Sequence, residues 1–91
     1  LPPSVVASAL QAIDILGTEP WHREKLWRNA RQLHEGLSRA GFSLGAPASP
    51  VVAVKIDERD MAVRLWEQLL TSGVYVNLAM PPATPQGLNL L

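Results

Sequence analysis

The sequence predicts an α+β fold in which helices pack on one side of a small sheet, in two layers. Three long segments repeat apolar residues every three or four positions, as amphipathic helices do. Two short segments rich in β-branched residues, 51–56 and 74–77, flank the third of these and are typical of strands. The 91 residues, 47% of them hydrophobic, suit one domain with an apolar core.

The first helix is predicted over residues 4–16. The pair Pro2-Pro3 keeps the entering chain extended, because the residue before a proline is excluded from the α region. Ser4 is a suitable N-cap, and Gly17 is a suitable stop directly after the helix. The predicted apolar stripe consists of Val6, Ala9, Leu10, Ile13 and Leu16.

The second helix is predicted over residues 20–40. Pro20 suits the first helical position, where its missing N–H costs nothing, and Gly41 ends the helix. Glu24 and Arg28 are spaced to form an i,i+4 ion pair in the favourable order. The predicted stripe consists of Leu26, Trp27, Ala30, Leu33, Leu37 and Ala40, with His34 beside it as a packing residue.

The second half of the chain alternates strands with one helix. Gly45, Pro47 and Pro50 make 43–50 a turn-rich connection before the strand 51–56. Asp57 is expected to cap a third helix that ends at Gly73, and 74–77 follows as a strand. The strand–helix–strand order favours a right-handed crossover between parallel strands. The third helix has the stripe Met61, Ala62, Leu65, Trp66, Leu69 and Leu70.

These elements predict a core and an incomplete sheet. Residues 88–91 look like the start of a third strand that is cut short, and so small a sheet is marginal alone. Charged residues make up only 18% of the chain, so we expect another chain, or the rest of this one, to cover part of its surface. We therefore expect the sequence to be part of a larger protein. The predicted buried residues are Trp27, Leu33, Leu37, Val52, Val54, Leu65 and Leu69.

The composition excludes several classes of function. Eight basic and eight acidic residues give a net charge of zero, so nothing predicts a nucleic acid or an anionic membrane surface as partner. No apolar run is long enough for a transmembrane segment. Without cysteine there is no thiolate metal site, and His22 and His34 alone do not make a conventional zinc site, so no metal is expected.

The residues themselves carry little visible chemistry. No phosphate-binding glycine loop or hydrolase motif is present. Neither Lys25 nor Lys55 has a sequence context that would favour a Schiff base. The proline-rich segment 81–85 directly follows a predicted strand, so it is either a stiff turn or the wall of a ligand site held by a rigid scaffold.

Four segments together resemble a known enzyme family. Leu1–Ala7, Arg23–Ala30 and Gly73–Asn77, followed by Pro81–Pro85 with Gly87, are similar in order and spacing to the C-terminal part of the α-oxoamine synthases. These are enzymes that use pyridoxal phosphate (PLP). The segment from Gly73 to Gly87 is the most specific, and within the family it resembles the bacterial serine palmitoyltransferases most.

The resemblance implies a fold-type-I PLP enzyme of which residues 1–91 would be the incomplete C-terminal small domain. Such enzymes condense an amino acid with an acyl-CoA thioester and release CO₂ and CoA. Serine and palmitoyl-CoA would be the substrates if the chain takes part in the first step of sphingolipid synthesis. The family also implies a homodimer in the cytoplasm.

The same resemblance assigns a substrate-binding wall and no catalytic residue. In the family the lysine, histidine and aspartate that hold PLP belong to the large domain, so no catalytic or cofactor-binding residue is carried onto this chain. Met80 stands where serine palmitoyltransferases place an arginine for the substrate carboxylate or reaction intermediates, and Thr84 is the best polar candidate. The wall would comprise Met80, Pro81, Pro82, Ala83 and Thr84.

Two alternatives remain open from the sequence. One is another member of the family, such as an 8-amino-7-oxononanoate synthase or an acyltransferase of secondary metabolism. The other is a non-catalytic α/β module that binds a partner, for which the zero net charge and the apolar ends would be suitable.

Overall fold

The computed structural model describes residues 1–91 and confirms the α+β class. It contains three helices and one three-stranded sheet. None of the helices has the length and apolarity needed to cross a membrane. In chain order the elements are α1 (Pro3–Thr18), α2 (Trp21–Arg39), β1 (Ser43–Leu44), β2 (Val54–Ile56), α3 (Arg59–Thr71) and β3 (Asn89–Leu90).

Helices α2 and α3 end where local sequence signals predicted. Gly41 and Gly73 follow α2 and α3 with φ angles of +94° and +87°, a conformation that glycine adopts without strain. After α2, the amide of Phe42 donates to the carbonyl of Leu37, and after α3 the amide of Val74 donates to that of Leu69. Both helices therefore end in the Schellman arrangement, which satisfies carbonyls that the helix itself leaves open.

The helix starts differ slightly from the prediction. α1 begins at Pro3 with Pro2 as its N-cap, so Ser4 lies inside the first turn, and the helix runs through Gly17. Pro20 is the N-cap of α2 and not its first residue. Proline is tolerated at these positions because the first amides of a helix have no partner within it.

The sheet is antiparallel, so the predicted crossover between parallel strands is wrong. Its order is β1-β2-β3, with Leu44 opposite Val54 and Lys55 opposite Leu90. β1 lies inside the connection that was predicted to contain only turns. It forms because the chain from Leu44 to Val54 folds back on itself, and the amide of Gly45 donates to the carbonyl of Ala53 at 2.8 Å.

The predicted strand 74–77 does not form. The chain is held there by the Trp66 indole, whose Nε1 donates to the Val76 carbonyl at 2.9 Å. Ala79, just beyond, forms an antiparallel bridge with Leu90. No backbone hydrogen bond joins residues 75–77 to another segment, so this part of the chain has the composition of a strand but no strand partner.

The core lies between the sheet and the helices α2 and α3. Val54 and Ile56 are buried on one face of β2, and Lys55 between them is exposed on the other. Ala62 of α3 is completely buried against this pair. Both helices lie on the same side of the sheet, because Leu37 of α2 and Leu65 of α3 both pack against this core. The other side chains packed around it are Leu44, Leu78 and Leu91.

Two residues of the predicted core are exposed. Trp27 is 40% exposed and Leu33 is 53% exposed, whereas Leu37, Val52, Leu65 and Leu69 are half-buried and Val54 is buried. Leu33 lies on the predicted face of α2, but that face borders an apolar groove of about 740 Å³ that opens to solvent. The groove runs between α2, α3 and the sheet, and nothing in this chain fills it.

Helix α1 stands apart from the rest of the chain. It buries no residue, and its hydrogen bond to another helix comes from Arg23 of α2, whose Nη1 donates to the Leu16 carbonyl. Its stripe residues Val6, Leu10, Ile13 and Leu16 are 43–65% exposed. The radius of gyration is 17.4 Å, against about 12 Å for a compact domain of this length. The prediction that helices pack on one side of the sheet therefore holds for α2 and α3, and α1 projects away from them.

The predicted ion pair between Glu24 and Arg28 does not form. The ion pair present joins Arg39 to Glu35, at 3.9 Å, and the His22 Nε2 forms a hydrogen bond with the Glu19 Oε1 at 3.2 Å. Both lie on exposed helical surface, where such pairs contribute little to stability.

We expect the amides of α1 to exchange with solvent much faster than those of the sheet. An isolated 16-residue helix is marginal in water, whereas the amides of Val54 and Leu91 are paired with each other's carbonyls beside the core. Hydrogen exchange followed by NMR on the 91-residue chain measures both sets. Equal protection of α1 and the sheet at low protein concentration would contradict this view of α1.

Candidate functional site

The five predicted wall residues form one tight loop, from Met80 to Thr84, at the edge of the sheet. On its N-terminal side, Ala79 and Leu90 exchange two backbone hydrogen bonds of 2.9 and 2.8 Å. Within it, the Ala83 amide donates to the Met80 carbonyl at 3.0 Å. The Pro81–Pro82 peptide bond is cis. The five consecutive residues therefore form one loop that backbone contacts hold in place, and their role as a substrate wall stays a prediction.

Thr84 closes the other side of the loop. Its hydroxyl donates to the Leu88 carbonyl, and the Leu88 amide donates to the Pro85 carbonyl at 3.1 Å. A threonine hydroxyl has one proton, so Thr84 retains only acceptor capacity for a ligand. The best polar candidate of the sequence thus holds the loop closed, and it cannot also donate to a substrate in this arrangement.

The loop offers a ligand an apolar surface. Met80, Pro81 and Thr84 are half-buried, and Pro82 and Ala83 are exposed. None of the five side chains carries a charge, and the one hydroxyl already donates to the Leu88 carbonyl. The loop can contribute shape and apolar contact, whereas any charged group of a ligand needs partners from elsewhere.

Asn89, which the sequence analysis did not single out, is the most buried polar residue of the chain. It is 2% exposed, and its Nδ2 donates to the carbonyls of Ile56, at 2.9 Å, and Asp57, at 3.3 Å. Its Oδ1 is buried without a partner. The sequence did contain a signal, because asparagine is unfavourable in strands and Asn89 interrupts the apolar run 88–91.

A small polar cleft of about 380 Å³ borders the loop. It lies where β2 passes into α3, and the pair Pro81–Pro82 forms one side of it. Glu58 is the N-cap of α3 but makes no side-chain capping bond, so the first amides of that helix receive no side-chain partner from it. The polar lining comes from Asp57, Arg59, Gln86 and Asn89, which together could form hydrogen bonds with both donor and acceptor groups of a ligand.

The residues of this chain do not by themselves fit PLP, the cofactor that the resemblance implies. A PLP site needs a lysine in a desolvated position, but Lys25 and Lys55 are both exposed. The Lys55 Cε lies 4.0 Å from where a Cβ on Gly45 would be, so this side chain turns toward β1 and away from the loop. The histidines lie on α2, where the His34 Nε2 donates to the Ala46 carbonyl at 3.0 Å.

Comparison with known proteins gives a consistent assignment. Residues 1–88 match the sequence profile of the family "Aminotransferase class I and II". Over 93 residues, and the whole chain, the sequence is 50% identical to a serine palmitoyltransferase of Sphingomonas paucimobilis. It is 45% identical over 91 residues to one of Caulobacter vibrioides, and 38% identical over 86 residues, 94% of the chain, to 8-amino-7-oxononanoate synthase 1 of Bacillus velezensis. The chain spans 22% of the length of each of these relatives.

Solved structures agree with the sequences. A serine palmitoyltransferase variant with PLP superimposes with a TM-score of 0.93 at 50% identity, over 99% of this chain and 23% of that one. The Sphingomonas wittichii serine palmitoyltransferase gives a TM-score of 0.90 at 46% identity, with the same two coverages. The chain therefore belongs to the aminotransferase class I and II family, and its similarity within that family is to the α-oxoamine synthases.

Proposed function

We propose that residues 1–91 act as the C-terminal small domain of a longer PLP-dependent enzyme. That enzyme would condense an amino acid with an acyl-CoA thioester and release CO₂ and CoA. Serine and palmitoyl-CoA are the substrates we propose first. The observation that carries the proposal is the 50% identity with a serine palmitoyltransferase over the whole chain.

In this proposal the cofactor belongs to the rest of the longer protein. PLP, when bound there, supplies the electron sink that stabilises a carbanion on the amino acid. This chain contributes the loop Met80–Thr84 as one wall of the substrate site. The exposed stripe of α1 and the open apolar groove support this division, because large apolar surfaces of this kind normally face another body of protein.

Met80 limits what that wall can recognise. It replaces the arginine that serine palmitoyltransferases are expected to carry, and a thioether cannot form a charge-assisted bond with a carboxylate. The remaining loop side chains are uncharged. We therefore propose that the amino-acid carboxylate is bound by residues outside this chain, and that the loop contributes shape.

Three further features belong to the same proposal. A homodimer is supported by the apolar, uncovered face of α1. A place in sphingolipid synthesis follows if serine and palmitoyl-CoA are the substrates. The cytoplasmic location is proposed from the resemblance to bacterial relatives alone.

A second activity in the same family has its own support. The 8-amino-7-oxononanoate synthase of Bacillus velezensis is 38% identical over 94% of this chain. It would share the reaction type and differ in the amino acid and the acyl group. The non-catalytic module is the remaining possibility, and the open groove is the feature that would serve it.

We expect a chimera to be an active condensing enzyme. In it, the aligned segment of the Sphingomonas paucimobilis serine palmitoyltransferase is replaced by residues 1–91 of this chain. Release of CoA, measured with a panel of amino acids and acyl-CoA thioesters, should be highest with serine and palmitoyl-CoA. Preference for another pair would favour the second activity, whereas a folded, PLP-containing chimera without any activity would contradict the enzyme proposal.

In the same chimera, Met80→Arg should lower the KM for serine or change the preferred substrate pair. A new hydrogen bond to a charged group contributes about 1.5–3 kcal/mol, which corresponds to about a tenfold decrease in KM or more. Gln68→Arg, which adds the same charge at an exposed position of α3 away from the loop, is the control. Identical kinetics for both variants would mean that position 80 does not contact the substrate.

The 91-residue chain alone should neither bind PLP at a defined site nor catalyse condensation. Both lysines are exposed and lack partners for the phosphate or the pyridine nitrogen. An absorbance titration with PLP, followed by borohydride reduction and mass spectrometry, should show only scattered, unsaturable labelling. A single saturable adduct at Lys25 or Lys55 would overturn this expectation.

A further inference from the structure

We infer that Asn89 is a positioning residue for the loop Met80–Thr84. The inference rests on the proposed function, in which that loop is a wall of the substrate site. Asn89 does not belong to the loop, and it acts through the backbone of its two neighbours in the chain, Leu88 and Leu90. Each of these neighbours holds one end of the loop.

The backbone of β3 holds both ends of the loop at once. Leu90 exchanges two hydrogen bonds with Ala79, the residue directly before Met80. The Leu88 carbonyl accepts a hydrogen bond from the hydroxyl of Thr84, the last residue of the loop. Asn89 lies between these two contacts, so a shift of Asn89 along or away from the sheet moves both ends of the loop together.

The side chain of Asn89 fixes β3 to the core. Its Nδ2 reaches the carbonyls of Ile56 and Asp57, where β2 ends and the chain turns into α3. Ile56 is one of the buried core residues and is also the backbone partner of Asn89 in the sheet. The Asn89 amide thus adds a side-chain connection between the loop and the packed side of the domain, beside the backbone pairing of β2 with β3.

An apolar residue at position 89 could not form these two hydrogen bonds. Two successive carbonyls at the end of β2 need donors, and an amide Nδ2 has two protons to give them. The Asn89 Oδ1 remains buried without a partner, which is an unfavourable arrangement. Keeping asparagine here despite that cost, in a strand that disfavours it, is consistent with a role in fixing geometry.

Kinetics in the chimera test this role. Asn89→Ala and Asn89→Asp both remove the two donated hydrogen bonds, and Asn29→Ala, on exposed α2, is the matched control. We expect the KM for the amino acid to rise about tenfold in both Asn89 variants, since two net hydrogen bonds of ordinary strength are lost. KM does not depend on how much of the enzyme is folded, so a merely structural role would lower the active fraction and leave KM unchanged.

Hydrogen exchange on the 91-residue chain gives an independent measurement. In Asn89→Ala, the amides of Ala83 and Leu88 should exchange about tenfold faster, while that of Gly45, bonded across β1 and β2, should change little. Equal acceleration of all three amides would show global destabilisation and overturn the inference. If that variant does not fold, Asn89→Asp is measured in the same way, because it removes the two donors with little change in size, and equal acceleration of the three amides again overturns the inference.

The two measurements also separate the inference from the proposed function. A chimera with Asn89 intact that has no activity contradicts the proposed function, and the exchange experiment then still decides whether Asn89 fixes the loop. An active chimera whose KM is the same in the Asn89 and Asn29 variants overturns the positioning role and leaves the proposed function in place.

Discussion

The packing of β2 against α3 is the contact on which the other parts of the domain depend. β2 is only three residues long, yet it pairs with β1 on one side and β3 on the other. Val54 and Ile56 face the helices, and Ala62 of α3 approaches them so closely that it is completely buried. A residue larger than alanine at position 62 would have to displace the helix, because protein interiors are close-packed.

This contact also determines where the candidate site lies. The Asn89 side chain donates to two carbonyls at the end of β2. The loop Met80–Thr84 is held by the neighbours of Asn89 in the chain, so its position depends on that of Asn89. The site is thus a loop at the sheet edge, fixed by a buried amide to the same strand that carries the core. Sites on loops held by a rigid scaffold combine order with access for a ligand.

Much of the apolar surface of the chain is left open by its own fold. Only four hydrophobic residues are buried, while the groove between α2 and α3 and the stripe of α1 remain exposed. A small chain has a high ratio of surface to volume and cannot cover every apolar face. This property agrees with the fact that the chain spans 22% of the length of its relatives, where other segments are available to pack against such faces.

The sequence by itself determined the parts of the molecule that depend on neighbouring residues. Helices α2 and α3 end at Gly41 and Gly73 as predicted, because a positive φ and the bonds that close a helix end are local properties. The proline-rich segment was recognised as a rigid loop for the same reason, since proline restricts its own backbone. The family resemblance was carried by such local motifs and their order.

Only the tertiary structure decided what depends on contacts between distant segments. Ser43–Leu44 became a strand because the backbone of β2 pairs with it, and 74–77 did not, because no other backbone segment of the chain pairs with it. Leu33 has the right spacing for a core residue, but burial requires a second surface, and the groove remains open there. The role of Asn89 is of the same kind: its partners lie 33 and 32 residues away, and no local pattern specifies two carbonyls at that separation.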